Sequence, residues 1–453
     1  MVDPIAMSIG GQQSQEPTTS RLPGGGRVIL FGRYPVPGRT KTRLIPALGP
    51  VGAAELQRRL TQKSLYTILQ THLPASSVEF CYTGGTPHQV KRWLGCHGIG
   101  FSRQTGDDLG SRMANALRAA FRRGDRFVVL AGTDIPAMTA DHIRTAFRAL
   151  QHHDMVLGPS RDGGYWLIGM CRPLDIFRDI PWGDADVLAR TLAHAARQDL
   201  TVHQLEPLDD IDTEADLADW QPQGEWRHPY VTVVIPALNE AAAIEKIIRR
   251  VRCADSRIIV ADGGSSDGTV KRARGAGAEV IVTKPGRAVQ QNAAARLSTG
   301  PVLLFLHADT LLPPDYPAQV FEALIPAGVA AGAFRFKTDW NRWSMRLIEK
   351  MARIRSTLLQ MPYGDQALFM PKAIFDKTEG FPQVPIAEDL YLVRRLGRLG
   401  RIAHTRGFAV TSGRRWQTLG VWRTTLINYL IAGGCLLGVD SRRLAPLYKK
   451  WLK

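Results

Sequence analysis

Residues 301–310 read Pro-Val-Leu-Leu-Phe-Leu-His-Ala-Asp-Thr, an apolar run that ends abruptly in polar residues. Five consecutive apolar residues, Val302 to Leu306, are typical of a buried strand in a parallel sheet. In such sheets the ligand crevice lies at the carboxyl ends of the strands. Asp309 is therefore expected where a carboxylate can hold a divalent cation against a substrate phosphate. The alternative is an ordinary strand followed by an aspartate in a turn.

The chain is long enough for two or three domains, and its charge is divided unevenly. Of its 453 residues, 44% are hydrophobic and 22% are charged, as in globular proteins. Residues 1–228 hold 25 Lys and Arg against 24 Asp and Glu, whereas residues 229–453 hold 33 against 17. The basic second half favours phosphorylated ligands, anionic lipid surfaces or nucleic acid.

The cysteines and the first residues bear on where the protein works. The five cysteines are scattered, odd in number and without a CxxC pair, which argues against a disulfide framework or a zinc site. Residues 1–24 are expected to form a disordered tail, since the first 20 lack the basic start and apolar core of a signal peptide. These features predict a cytoplasmic protein, either free or bound peripherally at the inner face of the membrane.

Strand-like and helix-like segments alternate through both halves. The predicted strands cover 27–31, 78–83, 126–131, 155–158, 230–236, 257–261, 279–283 and 302–306. The predicted helices cover 52–73, 110–122, 139–150, 239–252 with Asn239 as N-cap, 269–275 and 288–297. This alternation predicts two α/β domains in tandem, each with a mostly parallel sheet. The predicted division is a tail at 1–24, domains at 25–219 and 230–411, a linker at 220–229 and a basic helical tail at 412–453.

The final segment, 412–453, differs in composition from the rest. Leu426 to Val439 is apolar and uncharged, but at 14 residues it is shorter than a membrane-spanning helix requires. Basic residues flank it on both sides, among them Arg414, Arg415, Arg442 and Arg443. The segment is either an amphipathic, interfacial helix pair that docks on anionic lipid or a buried packing helix with a solvated basic end.

Acidic residues follow several predicted strands of the second half. Asp262 ends the second strand, Asp309 follows the fourth, and Asp389 comes later, so parallel strands would bring the three carboxylates to one edge. This arrangement suits a nucleotide-sugar donor. Asp262 would accept hydrogen bonds from a base or ribose, Asp309 would ligate Mg²⁺ or Mn²⁺, and Asp389 would act as general base. Gly263 would let the backbone approach the nucleotide, and Arg287 would add charge at the phosphates.

The segments VTVVIPALNEAAAI, VADGGSSDGT and LLFLHADT and the pair Glu388-Asp389 resemble the inverting GT-A glycosyltransferases of family 2 over nearly all of 229–453. The segments KPGRAVQQNAAA, MPYGDQALFMPKAIF, AEDLYLVRRL and TSGRRWQTLGVWRTTLINYLI look like the transferase subfamily associated with arsenosugar and selenosugar pathways. The resemblance implies a Rossmann-like GT-A fold, a nucleotide-sugar donor such as a UDP-sugar, and a small-molecule or lipid acceptor.

The same resemblance implies roles for individual residues. The donor would contact Pro236, Asn239, Glu240, Asp262, Gly263 and Arg287. The acceptor would contact Gly364, Asp365, Gln366, Arg414, Arg415 and Trp416. Asp389 and Glu388 would be catalytic, and Asp309 would bind the metal. His307 replaces the first acid of the common Asp-x-Asp form and is expected to be a weaker metal ligand.

The first half carries its own set of chemical groups. The loop from Gly38 to Arg43 follows a predicted strand and is dense in cations and backbone donors, which suits a diphosphate or triphosphate. It lacks the spacing of a Walker loop. Asp134 follows a buried strand in Gly-Thr-Asp-Ile-Pro, and Asp210 or Asp212 could offer a second carboxylate to the same cation.

Residues 25–219 resemble the uncharacterised GT-A-like transferases of the DUF2064 type, which are similar to the guanylyltransferases that activate phospholactate. The carrying segments are FGRYPVPGRTKTRL, QTGDDLGSRM, GTDIP, RDGGYWLIG and DDIDTEADL. The resemblance implies a nucleotide near Lys41, Arg43 and Asp107 and a metal at Asp134 and Asp212. It leaves open whether a nucleotidyl or a glycosyl group is transferred.

Three functions are weighed. The leading hypothesis is a bifunctional transferase with a metal-dependent glycosyltransferase in the second half. The alternative is a single active glycosyltransferase attached to a catalytically idle nucleotide-binding or scaffolding module. Nucleic acid is not expected as a partner, because the basic residues are dispersed and no nucleic-acid-binding motif occurs in the sequence.

Overall fold

The computed structural model describes residues 25–71, 73–95, 98–219 and 229–451. The predicted tail at 1–24 lies outside the described residues, as does the predicted linker at 220–229 apart from its last residue.

The first half is built on one mixed sheet. Its strands are β1 (Gly26–Arg33), β2 (Val78–Thr83), β3 (Gly100–Arg103), β4 (Phe127–Gly132), β5 (Met155–Pro159), β6 (Tyr165–Met170) and β7 (Val202–Gln204). They lie in the order β3-β2-β1-β4-β6-β5-β7. The helices are α1 (Ile45–Leu69), α2 (Pro87–Leu94), α3 (Leu109–Arg122), α4 (Ala140–Ala149), α5 (Val187–Ala196) and α6 (Glu214–Asp219).

The second half repeats the plan. Its strands are β8 (Val231–Ala237), β9 (Ser256–Asp262), β10 (Glu279–Val282), β11 (Val302–Phe305), β12 (Thr310–Leu311), β13 (Val329–Thr338), β14 (Phe369–Pro371) and β15 (Arg401–Thr411). They lie in the order β10-β9-β8-β11-β14-β13-β15-β12. The helices are α7 (Ile244–Val251), α8 (Thr269–Gly275), α9 (Arg287–Arg296), α10 (Tyr316–Leu324), α11 (Trp343–Leu358), α12 (Lys372–Lys377), α13 (Glu388–Leu399), α14 (Arg414–Leu419), α15 (Val421–Leu436) and α16 (Ser441–Trp451).

Local sequence patterns explain how helices and strands pack in layers. The apolar run at 302–305 is buried on both faces, as expected for an inner strand, and it pairs in parallel with β8. In α7 the buried residues Ile244, Ile247, Ile248 and Val251 recur at helical spacing and face the sheet. The predicted fold class, two α/β domains with mostly parallel sheets flanked by helices, is confirmed.

Two details differ from the sequence-based prediction. Strands β6 and β14 run antiparallel to the neighbours they join, so each sheet is mixed. Asn239 is not a helix N-cap, because α7 begins only at Ile244 and Asn239 has a left-handed backbone with φ of 56°. Its side chain instead accepts a hydrogen bond from the backbone N–H of Ser266, in the loop after the neighbouring strand.

The basic tail forms α14, α15 and α16. One face of α15 is buried through Ile427, Ile431 and Cys435, in a cluster that includes Leu390 of α13. This face matches the packing-helix alternative, while other apolar side chains of α15 stay exposed. In the part of the chain that the structure describes, no helix is both long enough and apolar enough to cross a membrane.

A glycine substitution tests the packing between β13 and β14. A Cβ added at Gly332 would lie 2.3 Å from the fully buried Phe369 ring. We expect Gly332→Ala to lower the free energy of unfolding by about 1–3 kcal/mol, measured by chemical denaturation, because the core is overpacked. Gly433→Ala is the matched control, since a Cβ there meets nothing within 4 Å. Equal stability of Gly332→Ala and wild type would contradict the β13–β14 contact.

Candidate functional site

In the second half, hydrogen bonds hold the carboxyl ends of β8 and β9 together, and we call this edge of the sheet the rim. The buried amide of Gln290, on α9, donates hydrogen bonds to the carbonyls of Ala237, at 2.9 Å, and Ala261, at 2.7 Å. The loops beyond the two strands also interlock, since the Asn239 N–H donates to Ser265 Oγ at 2.8 Å. The predicted donor residues Pro236, Asn239 and Gly263 therefore lie on one preformed edge, and Gln290 is a supporting residue that sequence reasoning missed.

Asp262 lies at this rim but is only 1% exposed. Its carboxylate accepts hydrogen bonds from the backbone N–H groups of Gly264, at 2.9 Å, and Ser265, at 2.8 Å, and from Ser265 Oγ at 2.5 Å. The carboxylate therefore fixes the shape of its own loop. Its predicted contact with a base or ribose stays a prediction.

Gly364 stands where three parts of the chain meet. Its N–H donates a hydrogen bond of 2.6 Å to Asp389 Oδ2, at the start of α13. A Cβ added to Gly364 would lie 3.0 Å from His307 Nε2 and 3.2 Å from Asp389 Oδ2. The loop after β11, the turn at 364–366 and the start of α13 therefore converge at one point. The predicted metal loop and the predicted base are thus neighbours.

Buried charge surrounds this point. Burial, with the negative charges of Asp389 and Asp309, raises the pKa of Asp365 to about 6. Burial and Asp389 raise the pKa of Glu388, and burial and Asp309 raise the pKa of Glu240. Asp365, Glu388 and Glu240 therefore lie close enough to Asp309 or Asp389 for the negative charges to affect one another, while the predicted convergence with Asp262 stays a prediction.

His307 behaves differently from an acid. Burial, followed by the positive charges of Arg287 and Arg415, lowers its pKa to about 3. The imidazole is therefore neutral at physiological pH and has a lone pair available as a metal ligand. Arg287 and Arg415 therefore lie close enough to His307 for their positive charges to lower its pKa. The charge of Arg414 likewise acts on the pKa of Glu240.

Few of the side chains near Gly364 could serve as metal ligands. Among the described residues, no group of three or more His, Cys, Asp or Glu side chains is placed to hold a metal ion by itself. Asp309 and His307 supply one carboxylate and one neutral imidazole, and Asp365 has a buried Oδ1 without a hydrogen-bond partner. This donor set fits a divalent cation that also takes phosphate oxygens of a substrate.

Two residues expected at the acceptor are placed inside the protein. Gln366 is fully buried, donates to the Phe334 carbonyl at 3.0 Å and accepts from Arg355 at 3.3 Å. Trp416 is buried against Phe336, with ring centroids 6.0 Å apart. Both side chains are buried, and their predicted contact with an acceptor stays a prediction.

Arg355 on α11 is a further residue that the sequence did not reveal. Its guanidinium carbon lies 3.3 Å from the centroid of the Tyr363 ring, and its Nε donates to the Met361 carbonyl at 3.1 Å. Its charge partly offsets the burial of Asp365. Arg355 therefore fixes the turn at 364–366, and no local pattern around an arginine in a helix predicts this.

The first half has its own cleft, with a volume of about 580 Å³, at the ends of β1 and β4. Lys41 has a left-handed backbone, and its side chain is almost fully buried. Its ammonium lies 3.0 Å from Asp134 Oδ2 and 3.6 Å from Asp212 Oδ1. Arg43 lies 3.0 Å from the other oxygen of Asp212. Lys41 thus bridges the two carboxylates that were expected to hold a metal.

More acids surround Lys41 than the resemblance implied. Burial, with the negative charges of Asp162 and Asp212, raises the pKa of Asp210 to about 6. Asp162 and Asp210 both line the cleft. The predicted Asp107 does not: it is exposed in the loop before α3, and Gln104 and Arg112 of the same motif line the cleft instead.

Comparison with known families separates the two halves. Residues 67–184 match the model of DUF2064, described as an uncharacterised protein conserved in bacteria. Residues 232–381 match the model of glycosyl transferase family 2. Each match lies within one of the two α/β domains, which we call the DUF2064 domain and the family 2 domain after these matches. The cleft at Lys41 lies in the first of these domains, and the centre at Gly364 lies in the second.

Relatives of known name cover parts of this fusion. The succinoglycan biosynthesis protein ExoA of Rhizobium meliloti is 34% identical over 108 residues, which are 21% of this chain and 33% of that protein. The undecaprenyl-phosphate 4-deoxy-4-formamido-L-arabinose transferase of Pseudomonas aeruginosa is 30% identical over 152 residues, which are 30% of this chain and 44% of that protein. The chain thus spans less than half the length of these relatives.

Two solved structures are also similar. A Desulfovibrio desulfuricans G20 protein, assigned as a nucleotide-diphospho-sugar transferase, is 39% identical, with 43% of this chain and 84% of that chain covered and a TM-score of 0.40. A Pyrobaculum calidifontis mannosyltransferase, solved with GDP-Man and Mn²⁺, is 21% identical, with coverages of 52% and 72% and a TM-score of 0.39.

The buried carboxyl of Asp365 gives a pH-dependent prediction. Its pKa in the folded chain, about 6, exceeds its ordinary value of 3.8, so the folded state favours the protonated form. Stability from this group is present at low pH and is lost as the pH rises from about 4 to about 6. Asp365→Asn should therefore raise the thermal unfolding midpoint relative to wild type at about pH 8, and by less at about pH 4. A pH-independent difference would contradict the raised pKa.

Proposed function

We propose that the family 2 domain is an inverting, metal-dependent glycosyltransferase that uses a nucleotide-sugar donor. The supporting observation is that Gly364 lies against both Asp389 and His307, which belongs to the loop that carries Asp309, beside the hydrogen-bonded ends of β8 and β9. The rim suits the nucleoside, and Arg287 suits the diphosphate by its charge. A Mg²⁺ or Mn²⁺ ion held by Asp309 and His307 would neutralise the diphosphate as it leaves.

Asp389 is proposed as the general base. Its Oδ2 accepts a hydrogen bond from Gly364, and its Oδ1 accepts one of 2.8 Å from the backbone N–H of Leu390, so the carboxylate is held in one orientation. It also lies in the first turn of α13. An ionised carboxylate can take the proton of an acceptor hydroxyl as its oxygen attacks the anomeric carbon. A single displacement of this kind inverts the anomeric centre.

Glu388 is proposed to assist from the buried side. Its pKa is raised by burial and by Asp389, so it binds a proton more readily than an ordinary glutamate. Its carboxyl lies next to Asp389 in the first turn of α13, where it would support the proposed base.

The acceptor is proposed to be a small molecule or a lipid. Gly364 and Asp365 form the turn next to Asp389, and Arg414 and Arg415 begin α14 with exposed guanidinium groups. Paired arginines of this kind suit a phosphate on the acceptor. The name of the Pseudomonas aeruginosa relative, which specifies undecaprenyl phosphate, supports a lipid phosphate as one candidate.

Substitutions at the centre test the proposed chemistry. We expect Asp389→Asn to lower the rate of transfer to hydroxyl acceptors by about 10²–10⁴-fold through loss of the base. Asp309→Ala should abolish the stimulation by Mn²⁺. The measurement is nucleoside diphosphate release from a panel of UDP- and GDP-sugars, with undecaprenyl phosphate or soluble hydroxyl acceptors. Glu245→Gln, in a surface ion pair with Arg249 on α7, is the control. Wild-type rates in both site variants would refute the assignment.

The DUF2064 domain is proposed to be a second nucleotide-dependent transferase, of nucleotidyl or glycosyl groups. Lys41 and Arg43 line a cleft large enough for a nucleotide, together with Asp134, Asp210 and Asp212. Because Lys41 already bridges two of these acids, a phosphate would compete with the carboxylates for its ammonium, and the released carboxylates could then hold a metal. The alternative is a nucleotide-binding or scaffolding module without turnover.

Pyrophosphate release distinguishes the two possibilities for the DUF2064 domain. If this domain is a nucleotidyltransferase, nucleoside triphosphates and sugar phosphates should give sustained release that Lys41→Met abolishes. Arg59→Met offers a control cation on the same domain, already paired with Glu55. Nucleotide binding without turnover, equally in wild type and control, would favour the idle module.

A further inference from the structure

Helix α11 is apolar on two sides. Its inner side packs Met345, Ile348 and Ala352 into a buried cluster with Trp416. Its outer side exposes five large apolar residues, with Trp343 at 71% and Leu358 at 74% exposure. The exposed set is Trp343, Leu347, Met351, Ile354 and Leu358. Their spacing of i, i+4, i+8, i+11 and i+15 places all five on one stripe. An ordinary surface helix would present polar residues there.

Helix α15 continues the stripe. Trp422, Leu426 and Leu430 are spaced four residues apart and are all more than half exposed. The two helices meet at their N-terminal ends, where the rings of Trp343 and Trp422 lie 6.3 Å apart. We call the exposed apolar residues of α11 together with Trp422, Leu426 and Leu430 the docking face. A continuous apolar face of this kind marks a binding surface.

The charges around the docking face identify what it binds. Arg346, Lys350 and Arg353 are exposed on α11 along one edge of the apolar stripe. On the side of α15, residues 412–453 contain eight Lys and Arg and a single acidic residue, Asp440. A second copy of the chain on this face would bring two positive rims together, at an electrostatic cost. An anionic bilayer offers apolar depth and negative headgroups together, and tryptophan favours its interface.

We propose that the docking face binds the interface of an anionic lipid bilayer, with α11 and α15 lying in the plane of the headgroups. This extends the sequence-based expectation, which placed membrane contact on the tail alone. The inference is independent of the chemistry proposed for Asp389, since it concerns where the protein works.

The two helices of the docking face contact the elements that form the centre at Gly364. Arg355 of α11 contacts the turn at 364–366, and α15 packs through Ile427 and Ile431 against α13, the helix that carries Asp389. A bilayer on this face would therefore lie close to the acceptor side. The arrangement suits an acceptor that is itself anchored in the membrane.

Vesicle co-sedimentation of the full chain tests the proposal. We expect binding to phosphatidylcholine vesicles that contain phosphatidylglycerol, weaker binding to pure phosphatidylcholine, and loss of binding at high salt. The double variant Trp343→Ser with Trp422→Ser should reduce the partition coefficient by about tenfold or more, because two large apolar groups no longer insert. Tyr66→Ser, an exposed aromatic on α1 of the other domain, is the matched control. Because Trp343 and Trp422 are both more than half exposed, we expect the double variant to keep the thermal unfolding midpoint of wild type.

Several outcomes would overturn the inference. The first is that the protein does not bind anionic vesicles. The second is that the double variant and wild type partition equally. The third is that wild type forms a dimer by light scattering and that the double variant, unlike the control, is a monomer. Asp389→Asn should bind vesicles as wild type does, so a failure of the proposed chemistry is distinguishable from a failure of the docking face.

Discussion

The close contact between Gly364 and Asp389 is the constraint on which the second half depends. A hydrogen bond of 2.6 Å and the missing Cβ bring the turn at 364–366 against both Asp389 and His307. A Cβ at Gly364 would require the side chains of His307 and Asp389 to shift by a few tenths of an ångström. Three segments that are distant in sequence thus meet closely at a residue without a side chain. The buried carboxyls nearby owe their raised pKa values to the same crowding.

The two halves solve one structural problem in a similar way. In each, a glutamine amide bonds to the carbonyls at the ends of two adjacent parallel strands. Gln104 donates to Gly32 and Cys81 in the first half, as Gln290 donates to Ala237 and Ala261 in the second. Without the glutamine, these carbonyl groups would lack hydrogen-bond partners beyond the last hydrogen bond between the strands. A firm edge of this kind lets the loops beyond it hold carboxylates and arginines in place.

Much of the fold and part of the site could be predicted from the sequence. Apolar runs such as 302–305 are local signals, and they correctly predicted most strands and helices. The acids that follow them predicted a shared edge, and the structure brings the His307 loop and Asp389 together at Gly364. The direction of β6 and β14 could not be predicted, because strand pairing depends on residues far along the chain. Arg355 and Gln366 act through tertiary contacts of the turn at 364–366, and the inner placement of Trp416 follows from the packing of α11. Asn239 misled because its type favours N-caps and left-handed turns alike.

We propose that Asp309 and a divalent cation together hold a nucleoside diphosphate in the family 2 domain. Calorimetric titration of UDP and GDP, with and without Mn²⁺, into wild type and Asp309→Ala tests it most directly. The DUF2064 cleft is identical in both proteins, so the difference between them reports on the family 2 site. We expect wild type to bind UDP or GDP in a Mn²⁺-dependent manner and Asp309→Ala to lack this binding. Identical titrations for the two proteins would contradict it.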